Sequence, residues 1–132
     1  MKSRFQTIPG SILAPAGFRA AGVFCDIKRL GTGKGSEKGR KPDLALIVSD
    51  VRATVAGMFT TNQACAAPVK LCLERTRSGR AQAIVVNSGN ANACTGKQGT
   101  RDALEMATFT ARTLVLTGQK SADYLKSWKR KQ

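Results

Sequence analysis

Apolar positions along this chain fall into short blocks separated by glycine, proline and asparagine, a pattern that predicts several strands and one helix. Residues 12–18 (ILAPAGF) predict an extended arm, because Pro15 disfavours helix before it. A short strand follows over 21–27. Residues 44–49 (LALIVS) have the composition of a buried strand, and residues 54–60 (TVAGMFT) of a second one. With only residues 51–53 to link them, these two predict an antiparallel hairpin. Over 67–74, Val69, Leu71 and Leu73 alternate with Lys70 and Cys72, which predicts a half-buried strand. Ser78 and Gly79 mark a turn, and residues 81–86 (AQAIVV) form the clearest strand of the chain.

That strand runs straight into NSGNANACTG at 87–96, where three asparagines and two glycines force the backbone to turn sharply. Thr95 and Gln98 have the spacing of a capping box for a helix beginning near Gly96. Ala103, Leu104, Ala107, Ala111 and Leu114 then recur at helical spacing to about Leu116. Strands, an Asn/Gly-rich turn and one helix predict an α+β or layered sandwich arrangement over a doubly wound sheet. No internal repeat is evident.

Composition narrows the choice of chemistry. The 132 residues are 42% hydrophobic but only 5% aromatic, so a core would be packed by Val, Ala, Leu and Ile. No apolar run approaches the ~18 residues needed to span a bilayer, and residues 1–10 lack a signal-peptide core. A cytoplasmic protein is the expectation. There is no histidine, which removes His-based zinc sites and His-containing triads. The four cysteines, at 25, 65, 72 and 94, have no C-x-x-C spacing. Reduced, mostly buried thiols are expected, with no metal and no cofactor.

The net charge of +14 is unevenly spread. Residues 28–41 carry a net +5 and residues 119–132 a net +4, so the excess sits in two segments and not along a continuous nucleic-acid face. The glycine- and lysine-rich stretch at 31–41 invites comparison with a P-loop. However, Gly33-Lys34 is followed by Gly35, and Pro42 and a strand come next, so it reads as a basic, solvated insertion. In the 87–96 turn, Asn side chains and backbone N–H groups could hold an anion or orient a carbonyl. They could instead satisfy the loop's own backbone, the reading that composition favours. Asn87, Gly89, Asn90 and Asn92 are the candidate substrate-binding residues under the first reading. Asp43, Asp50, Asp102 and Glu105 show no paired spacing and read as solvated surface.

Five strings in order resemble the N-terminal region of the ornithine acetyltransferase (glutamate N-acetyltransferase) family: APAGFRAAG at 14–22, PDLALIVSD at 42–50, AGMFTTN at 56–62, AAPV at 66–69 and AIVVNSGNANACTG at 83–96. Together they span roughly residues 10–116. The resemblance implies an acyltransferase of arginine biosynthesis that moves acetyl from N-acetylornithine to glutamate, in some members also from acetyl-CoA. It also implies a precursor that cleaves itself before a threonine, giving α and β chains that stay together in higher αβ oligomers. The new N-terminal threonine is the nucleophile and its own amine can be the base, which suits a chain without histidine. The implied fold is a layered α/β sandwich of the N-terminal-nucleophile type.

On this resemblance residues 1–9 form a polar extension, 10–116 the first part of the acetyltransferase fold with the insertion at 31–41, and 117–132 a divergent basic tail. The family's oxyanion-hole Ser-Thr-Gly turn and cleavage-site threonine have no counterpart here, and Thr117-Gly118 lacks the flanks to take that role. No catalytic residue is therefore assigned, and the expectation is an α-side segment that is inactive by itself. The tail could reflect a frame change, an early end or a true terminus. Two alternatives remain: a small basic module binding nucleic acid or another polyanion, and a chain that complements a separately encoded β portion. The basic segment predicts non-specific attraction to polyanions; a salt-dependent affinity for nucleic acid at physiological ionic strength, read in a mobility-shift titration, would favour the basic module.

Overall fold

The computed structural model describes residues 6–27 and 42–114. The basic insertion at 31–41 and the tail at 117–132 lie outside the described residues. Two compact units divide the chain: residues 1–54 with 81–90, and residues 55–80 with 91–132. The first holds a three-stranded sheet and the second two helices, which bears out the α+β expectation.

In the sheet unit, β1 (Phe18–Val23) and β3 (Arg80–Asn87) flank β2 (Leu44–Thr54). β1 pairs antiparallel with β2, with Phe18 opposite Ser49 and Val23 opposite Leu44. On the other side the Ser88 N–H donates to the Asp43 carbonyl (2.8 Å), and the Gln82 side chain donates to the Ser49 carbonyl (3.3 Å). Those contacts run in opposite chain directions, so β3 is antiparallel as well.

β2 replaces the expected hairpin. Residues 50–54 contain no Gly, Pro or Asn for a tight turn, whereas Val51 and Thr54 favour extended backbone, so the strand simply continues. The expected second strand at 54–60 is absent, and residues 55–66 have no regular structure. The N-terminal arm also differs from expectation. Gly10 and Gly17 take φ of +105° and +83°, conformations in which glycine meets no steric penalty. Between them the chain makes a 3-10 turn at Ser11–Leu13 instead of an extended run, and β1 begins three residues earlier than expected.

In the helical unit, residues 67–74 form no strand; α1 (Ala67–Thr76) stands in its place. Pro68 decides this. It has no N–H for a strand ladder, but it fits the first turn of a helix, and Ala66 supplies the extended N-cap conformation. The alternation of Val69, Leu71 and Leu73 over so short a span is compatible with either period. α2 (Gly96–Thr113) starts where expected and ends at Thr113. Its expected capping box does not form: Thr95 makes no side-chain cap bond, and the Gln98 amide donates to Asp102 (2.6 Å).

Asp43 corrects the reading of all four carboxylates as solvated surface, whereas Asp50 stays exposed. Asp50 pairs with Arg19 across the β1–β2 ladder at 2.9 Å, an exposed ion pair worth little by itself. Asp43 is only 3% exposed. Its carboxylate accepts the N–H groups of Cys25 and Ile27, both at 2.6 Å. Its own N–H donates to Val23 and its carbonyl accepts from Ser88, so one residue ties the ends of all three strands. The cysteines correct a second expectation. All four are free, but Cys25, Cys72 and Cys94 are exposed and Cys65 is half-buried.

Among the described residues Ala103 is the only buried hydrophobic. Phe18, Val51, Ile84 and Val86 stay 37–70% exposed, and the strand pairings place all four on one face of the sheet. The opposite face carries Leu44, Leu46 and Val48, half-buried. A strand apolar on both faces belongs inside a sheet covered on both sides. No helix among the described residues is long and apolar enough to cross a membrane.

Removing the Asp43 carboxylate leaves two backbone donors without their acceptor. Asp43→Ala is expected to cost about 1–3 kcal/mol, read as faster hydrogen exchange at the Cys25 and Ile27 amides; unchanged exchange there would show that the carboxylate does not hold this corner.

Candidate functional site

The Asn-rich turn divides between the two units, and each part has its own geometry. In the sheet unit, Asn87 closes β3, and its side-chain amide donates to the Asn90 carbonyl (2.9 Å), bridging a tight turn in which Gly89 takes φ +117°. Asn87 is half-buried, while Ser88, Gly89 and Asn90 are exposed. The Ser88 N–H is fixed on Asp43. Of the four candidate residues, the structure thus brings Asn87 and Asn90 into direct contact.

In the helical unit, Asn92 is the centre of a separate set of bonds. Its amide nitrogen donates to the Gly99 carbonyl (2.7 Å), and its amide oxygen accepts from the Thr95 hydroxyl (2.5 Å). Its backbone carbonyl accepts the Ala67 N–H (3.3 Å), so Asn92 joins the start of α1 to the first turn of α2. Asn92 and Cys94 have φ of +47° and +57°, and Gly96 has +62°. Asn tolerates this left-handed region, which helps explain an asparagine at 92. Cys94 has no such aptitude and is held there by the bonds around it.

Two residues that composition did not single out complete this lock. Thr95 supplies the hydroxyl, and Gly99 is buried against it. A Cβ on Gly99 would overlap Thr95 Oγ1 and Asn92 Oδ1 and stand 2.6 Å from Thr95 Cβ, so rotating the Thr95 side chain would not relieve it. The signal was available: a lone glycine inside a helical pattern often has a packing reason.

The chemistry open to residues 87–96 is limited. The Asn87 and Asn92 amides are engaged within the turn, and no side chain there pairs a nucleophile with a general base. The exposed backbone around Gly89 and Asn90 could meet a small molecule; the two amides act as supports. Among the described residues, no group of three or more His, Cys, Asp or Glu could hold a metal ion.

Comparison with known proteins gives this geometry a context. Residues 19–125 match the ArgJ family, a match that continues past the last of the strings quoted above. The arginine biosynthesis bifunctional protein ArgJ of Symbiobacterium thermophilum is 52% identical over 109 residues, 83% of this chain and 25% of that protein. The ArgJ protein of Thermosynechococcus vestitus is 49% identical over 113 residues, 85% of this chain and 25% of its own length. The chain therefore spans about a quarter of the length of the curated relatives it matches. The crystal structure of the arginine biosynthesis bifunctional protein from Bacillus halodurans superposes with a TM-score of 0.65 at 40% identity, covering 75% of this chain and 47% of that one. Ornithine acetyltransferase from Mycobacterium tuberculosis, complexed with ornithine, gives 0.58 at 45% identity, covering 68% and 42%.

An alanine in place of glycine near a helix start ordinarily gains up to about 1 kcal/mol. Here Gly99→Ala is expected to lose about 1–3 kcal/mol by overpacking, seen as weaker amide protection through the first turns of α2. A gain in protection would mean the Asn92–Thr95 lock is not formed.

Proposed function

The chain belongs to the ArgJ family, and on that premise we propose that it supplies the first part of a glutamate N-acetyltransferase of arginine biosynthesis. The reaction moves acetyl from N-acetylornithine to glutamate, with acetyl-CoA as a second donor in bifunctional members. Residues 10–116 contribute to a layered α/β sandwich, and the reaction proceeds in the cytoplasm. The curated relatives' description as bifunctional arginine biosynthesis proteins supports this reading, as does ornithine in the mycobacterial crystal.

The observation that carries the reading is the uncovered apolar sheet. Phe18, Val51, Ile84 and Val86 expose hydrophobic surface that a self-sufficient domain would bury. The rest of the acetyltransferase fold is the partner that covers it. A second feature supports a partner on a separate chain. The matched stretch is 25% of a curated relative yet 47% of the solved Bacillus chain, so that solved chain is about half as long as the curated proteins. This is the proportion expected when a precursor divides into α and β chains that remain associated.

Within this reading the nucleophilic threonine comes from the partner. The Asn-rich turn is a wall of the substrate site: Gly89 and Asn90 face the substrate, while Asn87 and Asn92 position the turn. No polyanion-binding role is needed to account for the described residues.

The test is reconstitution. The isolated chain should give no transfer from N-acetylornithine to glutamate above background. Co-expression with the remaining portion of the Symbiobacterium relative should restore turnover. Robust turnover by the chain alone would overturn the proposal, as would failure of a soluble complex to transfer acetyl while the intact relative does so under the same conditions.

A further inference from the structure

β1 is an edge strand with one side unused. The Asp50 N–H donates to the Gly17 carbonyl and the Asp43 N–H to the Val23 carbonyl, so the odd-numbered residues turn their backbone groups toward β2. Bonding alternates along an antiparallel strand, which turns the N–H and C=O groups of Phe18, Ala20 and Gly22 outward. Among the described residues those groups meet no partner, and all six residues of β1 are exposed. Natural edges are commonly blunted by lysine or proline. β1 contains neither, and its one charge, Arg19, is paired with Asp50 on the face opposite Phe18.

We infer that this edge joins a second copy of the chain, β1 to β1 about a two-fold axis. Only the outward row can exchange bonds, so the pairing that uses the whole strand sets Ala20 opposite Ala20 and Phe18 opposite Gly22 of the copy. The side chains suit that register. Ala20 is small where the axis passes. Gly22 leaves a hollow beside the Pro42 side chain, which stands 3.2 Å from where a Cβ would be. Phe18 of the copy covers that hollow, an aromatic ring over an edge glycine. Arg19 falls opposite Ala21 of the copy, so no like charges are paired.

The product is one continuous antiparallel sheet built from the three strands of each copy. A strand of another protein would need its own match to this row, whereas the copy brings the match by symmetry. An edge and an apolar face are separate surfaces, so cover on the face does not by itself occupy the edge. The inference therefore does not rest on the acetyltransfer reading.

Sedimentation equilibrium of the full 132-residue chain in ~0.15 M salt tests this. Monomer at about 5 µM and dimer at about 200 µM are expected by mass action. Over that range, exchange at the Phe18, Ala20 and Gly22 amides should slow by about threefold or more, while the Arg19 and Ala21 amides change less. Ala20→Lys sets two ammonium groups against each other at the axis and should stay monomeric, as should Ala20→Glu. Ala20 is exposed, so neither change buries a charge. An equimolar mixture of the two variants should restore a dimer. Val51→Ser, on the uncovered face, should dimerise like the unaltered chain. Monomer at the highest concentration would overturn the inference, as would dimers of Ala20→Lys or failure of the mixture to pair. Loss of pairing in Val51→Ser would also overturn it, because the contact would then lie on the apolar face.

Discussion

Asp43 is the point on which the sheet depends. A single buried carboxylate accepts two backbone N–H groups from the chain leaving β1, while the same residue's backbone bonds to Val23 and to Ser88. Bonds from ionised acceptors to backbone donors are stronger than neutral ones, and burial raises the cost of losing them. With so little apolar burial among the described residues, this polar corner carries an unusual share of the order. It also fixes both the start of β2 and the first residue beyond β3, and so the direction in which the Asn-rich turn leaves the sheet.

The turn repeats that logic in the helical unit. Asn92 reaches α1 through its carbonyl and α2 through its side chain, and Gly99 provides the space that lets Thr95 approach it. Polar groups that looked like ligands for a substrate are in large part ligands for the backbone. Asn87 and Asn92 spend their amides on shape, and Gly89 and Asn90 are left exposed at the surface of the turn.

The elements legible in advance were those whose signals agree. β3 has β-branched residues and flanking turn signals, and α2 has five apolar positions at one helical spacing. The failures came where two signals competed. For α1 the period-2 alternation was weighed above Pro68, although a proline without an N–H is the stronger physical constraint. For β2 two apolar blocks were split at a polar link that contains no turn residue. Asp43 could not be read at all, since nothing in the local sequence distinguishes a carboxylate that three strands converge on from one in solvent. Family resemblance, by contrast, was legible because the five strings keep their order. The Asn-rich string marked a sharp turn while concealing that its side chains serve two different units.

An apolar sheet without cover is the physical counterpart of a match to a quarter of a longer protein. The central claim is that these residues are part of an ArgJ fold and are completed by the remainder of it. Scanning calorimetry of the isolated chain tests this most directly. The account predicts a broad transition with an enthalpy well below the ~0.7 kcal/mol per residue of a self-sufficient domain. A sharp two-state transition of soluble monomer, with calorimetric and van't Hoff enthalpies equal at that full value, would contradict it.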